Sequence, residues 1–122
     1  MKVSQLFRVI LYVQDMGKQV AFYRDVLGLT VKSPPGLSDY SEQFWVELQT
    51  GETTLVLHGG GGGQIGDDAP NINFRVEDIQ AWRAYLIGHG IKVGDVRSPV
   101  PGTLVLDARD PEGQAISFNS FA

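Results

Sequence analysis

The chain contains only two histidines, and one of them, His58, closes a strand-like apolar run. An imidazole there could serve as a general base, because it exchanges protons near neutrality. Glu47 and Asp107 are the carboxylates that could share acid–base work with it. They could equally be ion-pair partners for Arg8 and Arg75, whose planar guanidinium groups also suit an anionic ligand. Tyr12 and Trp45 could stack on an aromatic ligand or simply fill space. His89, between Gly88 and Gly90, reads as a partner for a helix C-terminus rather than as a catalyst. Gly61, Gly63 and Gly66 have the spacing of a dinucleotide fingerprint. Asp67-Asp-Ala-Pro70 follows where a helix would have to begin, and no Lys-Ser or Lys-Thr completes a phosphate loop. Five glycines in succession therefore read as a linker or a flap.

Those residues need elements to carry them, and the chain supplies the same set twice. Arg8-Val-Ile-Leu-Tyr-Val-Gln-Asp15 lies over Asn71-Ile-Asn-Phe-Arg-Val-Glu-Asp78 at an offset of 63. Phe44-Trp-Val-Glu-Leu48 lies over Leu104-Val-Leu-Asp-Ala108, and Leu55-Val-Leu-His58 over Ile116-Ser-Phe-Asn119. Each copy predicts a strand, a helix capped by Asp15 in the first and by Asp78 or Glu77 in the second, stopped at Gly28 or at Gly88 or Gly90, and then three short strands. The opening strand of the first copy is expected at 6–13. The later strands are expected at about 29–32, 43–49 and 53–58, and at about 91–96, 103–108 and 114–119. Thr50-Gly51 and Asp110-Pro-Glu-Gly113 supply turn chemistry between the last two strands of each copy. The pattern is βαβββ twice, with modules of about 1–58 and 71–122 joined by a glycine-rich linker at 59–70. Strand alternation puts Phe7, Val9, Leu11 and Val13 beneath the helix. The opposite face then carries Arg8, Ile10, Tyr12, Trp45, Glu47, Thr54, Val56 and His58. The second copy presents Asn71, Asn73, Arg75, Val105, Asp107, Ser117 and Asn119 on the corresponding face.

Size and charge narrow the possibilities. A chain of 122 residues, 43% hydrophobic, can bury a real core in a single domain. Without cysteine it has no disulfide framework, thiolate metal site or Cys nucleophile. Ten basic against fourteen acidic residues leave a net charge of −4, so neither nucleic acid nor an anionic membrane is an expected partner. Gln5 and Arg8 break the early apolar stretch, which therefore does not read as a signal peptide, and a cytoplasmic location is expected.

The chain has an opening strand ending Val13-Gln-Asp15-Met16, a helix with Phe22-Tyr23-Arg-Asp-Val-Leu27-Gly28, and a closing Asp110-Pro-Glu-Gly-Gln-Ala-Ile116. With the doubled pattern, these motifs resemble the vicinal oxygen chelate superfamily of glyoxalase I, bleomycin-resistance proteins and extradiol dioxygenases. The resemblance implies an α+β fold in which two mixed sheets curl into a cup around a site. It also implies four metal-ligand positions, matched here by Arg8, Val56, Asn71 and Ser117. Arginine and valine offer no lone pair, and Asn and Ser alone bind divalent cations weakly. No metal and no cofactor is therefore expected. The expectation is a metal-free small-molecule binding protein that sequesters or shields an anionic or aromatic ligand. Its ligand-binding residues would be Arg8, Tyr12, Trp45, Val56, Asn71, Asn73, Arg75, Ser117 and Asn119. The alternative is a metal-independent enzyme using His58 with Glu47 or Asp107; a divalent-metal glyoxalase or dioxygenase, and a module that binds other proteins, follow behind. A homodimer is expected, with one of Arg8 and Arg75 paired to a carboxylate across the cup and the other free for ligand.

Overall fold

A computed structural model describes residues 1–2, 4–62, 65 and 69–121. Gly63, Gly66 and several other positions of the glycine-rich segment lie outside the described residues. The chain divides into two compact units that meet between positions 63 and 64.

In the first unit, β1 (Arg8–Tyr12) leads into α1 (Met16–Val20), followed by β2 (Thr30–Ser33), β3 (Trp45–Gln49) and β4 (Thr54–His58). Asp15 caps α1 by accepting from Lys18 N at 3.0 Å, satisfying one amide that the first helical turn leaves open. The helix then widens into a π-helical segment, Ala21–Val26, which the sequence pattern did not distinguish from ordinary helix. Its successive rings Phe22 and Tyr23 are both buried, edge to face at 5.0 Å. Gly28 follows with φ of 80°, the left-handed position that ends the helix. The sheet order is β1-β4-β3-β2, with β1 parallel to β4 and the remaining pairs antiparallel. A parallel β1–β4 pair requires a crossover, and the helix with β2 and β3 supplies it.

The second unit repeats the plan with β5 (Ile72–Arg75), α2 (Ile79–Gly88), β6 (Thr103–Arg109) and β7 (Ala115–Phe121). Asp78 caps α2 through Ala81 N at 3.0 Å. The strand order is β5-β7-β6, again with a parallel outer pair. The duplication reaches individual backbone bonds. Val13 N donates to His58 O at 2.8 Å in one unit, and Val76 N donates to Asn119 O at 2.9 Å in the other. The fold is α+β, with two small mixed sheets.

Two expectations need correction. The strand expected at 91–96 is only a pair of isolated bridges, Val93 to Ala108 and Arg97 to Val105. Gly94 lies between them and Pro99 and Pro101 follow, so ladder formation is weakened on this edge. Phe7, expected under the helix, is 60% exposed. Pairing begins only at Arg8 with Thr54, so Phe7 precedes the sheet and its ring lies 4.3 Å from the Arg8 guanidinium carbon. Elsewhere the residues expected inside are buried, although Thr54, Val56, Val105 and Ser117 of the opposite face are buried as well. Val13, Leu55 and Leu57 are buried in the first unit, and Leu106, Ile116 and Phe118 in the second.

Candidate functional site

On the first sheet, cross-strand register assembles one face from β1, β3 and β4. Tyr12 and Trp45 both stand opposite His58, while Ile10 and Glu47 both stand opposite Val56. The His58 ring is enclosed by aromatic neighbours: Tyr12 at 4.8 Å, Phe44 at 4.9 Å and Trp45 at 5.5 Å between centroids. Its Nδ1 donates to Gly59 O, because a carbonyl oxygen can only accept. Glu47 accepts from Trp45 Nε1 at 3.0 Å, so the carboxylate anchors the indole. Among the described residues it makes no hydrogen bond to His58. Val56, on β4 between β1 and β3, is fully buried.

Arg8 completes this face. Its guanidinium lies over the Phe7 ring and, at 5.4 Å, over the Trp45 ring. Its Nε is buried and has no hydrogen-bond partner among the described residues. Stacking on aromatic faces stabilises a guanidinium without using its donors, so their directions remain open.

The second sheet presents a different chemistry. Asn73 Nδ2 donates to Ser117 Oγ at 2.8 Å and to Asn119 Oδ1 at 2.6 Å. Ser117 Oγ in turn donates to Asn71 Oδ1 at 2.7 Å. Ser117 is buried between Asn71 and Asn73, and Asn119 joins this neutral relay through Asn73. Asp107 does not pair with Arg75. It receives Arg97 Nε at 3.0 Å and Nη2 at 3.3 Å, and this two-pronged hydrogen bonding raises the Arg97 guanidinium above its ordinary value. Arg75 instead lies over the Phe121 ring at 5.2 Å. Within their own units, neither Arg8 nor Arg75 has a carboxylate partner among the described residues.

Sequence reading missed two residues that matter here. Phe44 packs against His58 although it precedes β3, because Gly59 N donates to Phe44 O at 2.7 Å and extends the pairing beyond the strand ends. Arg97 neutralises Asp107 from the interrupted edge, where glycine and prolines hide the register. The loop that follows β2 is tied down at its end: Tyr40 is buried and its hydroxyl donates to Pro34 O at 2.7 Å.

At the positions where the resemblance implies metal ligands, the residues do not fit a divalent cation. Arg8 brings a fixed charge, Val56 is a buried aliphatic group, and the Asn71 and Ser117 oxygens already bond to each other. Among the described residues no three His, Cys, Asp or Glu side chains cluster. No helix of the described residues is long and apolar enough to cross a membrane.

Comparison with known proteins agrees with this architecture. The chain is 24% identical to SMU.1112c, with 98% of this chain and all of the other covered at a TM-score of 0.80. TnmS3, an antibiotic binding protein from Streptomyces sp. CB03234, is 22% identical with a TM-score of 0.75, covering 100% of this chain and 99% of that one. Lactoylglutathione lyase from Agrobacterium tumefaciens is 21% identical at 0.71, covering 98% and 96%. No curated protein matches the chain. The sequence profile of the Glyoxalase/Bleomycin resistance protein/Dioxygenase superfamily matches residues 5–118, and with the doubled fold in place the chain belongs to that superfamily.

Proposed function

We propose that the protein is a metal-free small-molecule binder that sequesters or shields a planar aromatic ligand bearing an acid group. The observation that carries this reading is Arg8, a cation stacked on aromatic rings, with a buried Nε that finds no hydrogen-bond partner among the described residues. Tyr12, Phe44, Trp45 and His58 supply flat surface beside it for a ring, and Arg8 supplies donors for a carboxylate. The similarity to an antibiotic binding protein supports a binding role. The net charge of −4 supports a reading without nucleic-acid partners, and a cytoplasmic homodimer belongs to the same proposal.

Calorimetry with 1-naphthoate and with 1-naphthylmethanol tests it. Naphthoate is expected to bind and the alcohol to bind much more weakly. Arg8→Ala is expected to weaken naphthoate by roughly 10- to 150-fold, the equivalent of about 1.5–3 kcal/mol for a hydrogen bond to a charged group. Equal binding of acid and alcohol, or a melting temperature raised by Zn, Ni, Fe or Mn but not by naphthoate, would overturn the reading.

A metal-independent enzyme is the second reading, favoured by His58 and Glu47 lying on one face of the first sheet. Mass spectrometry on any bound compound separates the two, since a binder returns its ligand unchanged.

A further inference from the structure

We propose that the interrupted edge of the second sheet binds the phosphate of a small phosphomonoester, gripped by Lys92 and Arg109 over a hollow at Gly94. The site belongs to the second unit alone and takes nothing from the aromatic face of the first. The four positions where the resemblance implies metal ligands are on or beside β1, β4, β5 and β7. This edge lies beyond β6, outside those strands.

The geometry starts from the bridge between Val93 and Ala108. Its antiparallel register sets Lys92 alongside Arg109 and Gly94 alongside Asp107, and Gly94 N donates to Asp107 O at 2.9 Å. A hollow of about 290 Å³ opens there, with Lys92, Gly94, Asp107 and Arg109 in its lining. That is the small end of the range for ligand sites, roughly 300–1,000 Å³. Gly94 keeps it open. The backbone there is not left-handed, and an added Cβ would meet only Asp107 O, at 3.9 Å. Neither conformation nor packing therefore requires glycine, and a side chain would stand on the same face as Lys92, two residues away.

The charges around the hollow do not cancel. Lys92 and Arg109 are like charges side by side across a bridge, an arrangement that destabilises a sheet. Neither has a carboxylate partner among the described residues. Arg109 Nη1 donates to Gly113 O at 3.1 Å, which steadies the guanidinium and leaves its other donors for a ligand. Asp107, the carboxylate in the lining, is matched by Arg97 at 3.0 Å, and Asp95 by Arg83 at 3.4 Å. The hollow thus carries an excess of positive charge from Lys92 and Arg109, on a chain whose net charge is −4. A doubly charged anion removes both the repulsion and the excess. A phosphomonoester carries close to that charge near neutrality, and its three acceptor oxygens can be shared by an ammonium and a guanidinium.

Methyl phosphate and dimethyl phosphate, titrated at low salt and followed by amide chemical shifts, test the proposal. Methyl phosphate is expected to move the amides of Lys92, Gly94 and Arg109. It is also expected to bind more tightly than dimethyl phosphate, which carries a single charge. Lys92→Gln and Arg109→Gln should each weaken it roughly three- to tenfold, with the melting temperature unchanged or raised. Gly94→Val fills the hollow and should remove binding while the fold is kept. Arg8→Ala should leave methyl phosphate affinity unchanged, which separates this site from the aromatic one. Absence of binding, equal affinity for the two phosphates, or unchanged affinity in both glutamine variants would overturn the proposal. So would shifts confined to β1 and β4, which assign the anion to the first unit.

Discussion

Gly61→Ala is expected to lower stability by about 2–4 kcal/mol, combining the usual cost of overpacking with loss of about one hydrogen bond. The cause is a backbone crossing. Gly61 N donates to Val13 O at 3.0 Å, and Val13 N donates to His58 O at 2.8 Å, so the glycine passes directly over the end of β1. A Cβ at Gly61 would stand 2.8 Å from Val13 N and 2.9 Å from Tyr12 C and Val13 C. These are main-chain atoms that no rotamer change can move aside. Gly62→Ala is the control, because nothing lies within 4 Å of its added Cβ. Gly60→Ala should fall between them, costing about 1–2 kcal/mol for a left-handed residue, since its φ is 88°. Chemical denaturation of the three variants gives the ranking. Equal midpoints for Gly61→Ala and Gly62→Ala would mean that the crossing does not constrain the chain.

Asp110→Ala is the second large effect, expected at about 2–4 kcal/mol because it strands two amides that now donate to a carboxylate. Asp110 is 4% exposed. Its Oδ1 accepts from Glu112 N at 2.9 Å and Gln114 N at 3.0 Å, while its backbone carbonyl accepts from Gly113 N at 2.9 Å. These bonds fold the turn that joins β6 to β7, and Gln114, also buried, reaches on to Pro70 O. Asp110→Asn keeps a carbonyl oxygen for the same amides and should cost only about 1 kcal/mol, the ordinary value of a neutral hydrogen bond. Thermal melts read the difference directly. If Ala and Asn variants melt together, the carboxylate is not what holds the turn.

The strands and caps were legible because they depend on local signals. Asp15 and Asp78 precede periodic apolar residues, and Leu55 and Leu57 alternate along β4 with the residues of the other face, so period and cap agree. The interrupted edge at 91–97 was not legible, because its apolar residues look strand-like while Gly94 and the prolines act against pairing. For the candidate site, parity placed Tyr12, Trp45 and His58 on one face correctly. It could not choose partners for charges. Asp107 took Arg97, which the broken edge brings alongside β6, and Glu47 took the Trp45 indole, two residues away on its own strand. Long polar side chains reach across several positions, so their pairing depends on three-dimensional neighbours rather than on spacing. The glycine run misled in a different way. Its composition suggests freedom throughout, yet Gly59 and Gly61 are fastened by their own amides.

The matched bonds from Val13 to His58 and from Val76 to Asn119 give the two halves the same socket with different contents. In each, the fixing contact is made by a main-chain carbonyl, which is identical whichever side chain it belongs to. An imidazole among aromatic rings occupies one copy and a carboxamide in a polar chain occupies the other. A change of side chain at this strand end therefore leaves the backbone bond that fixes it in place, and the two halves hold unlike chemistry at one position of the same plan.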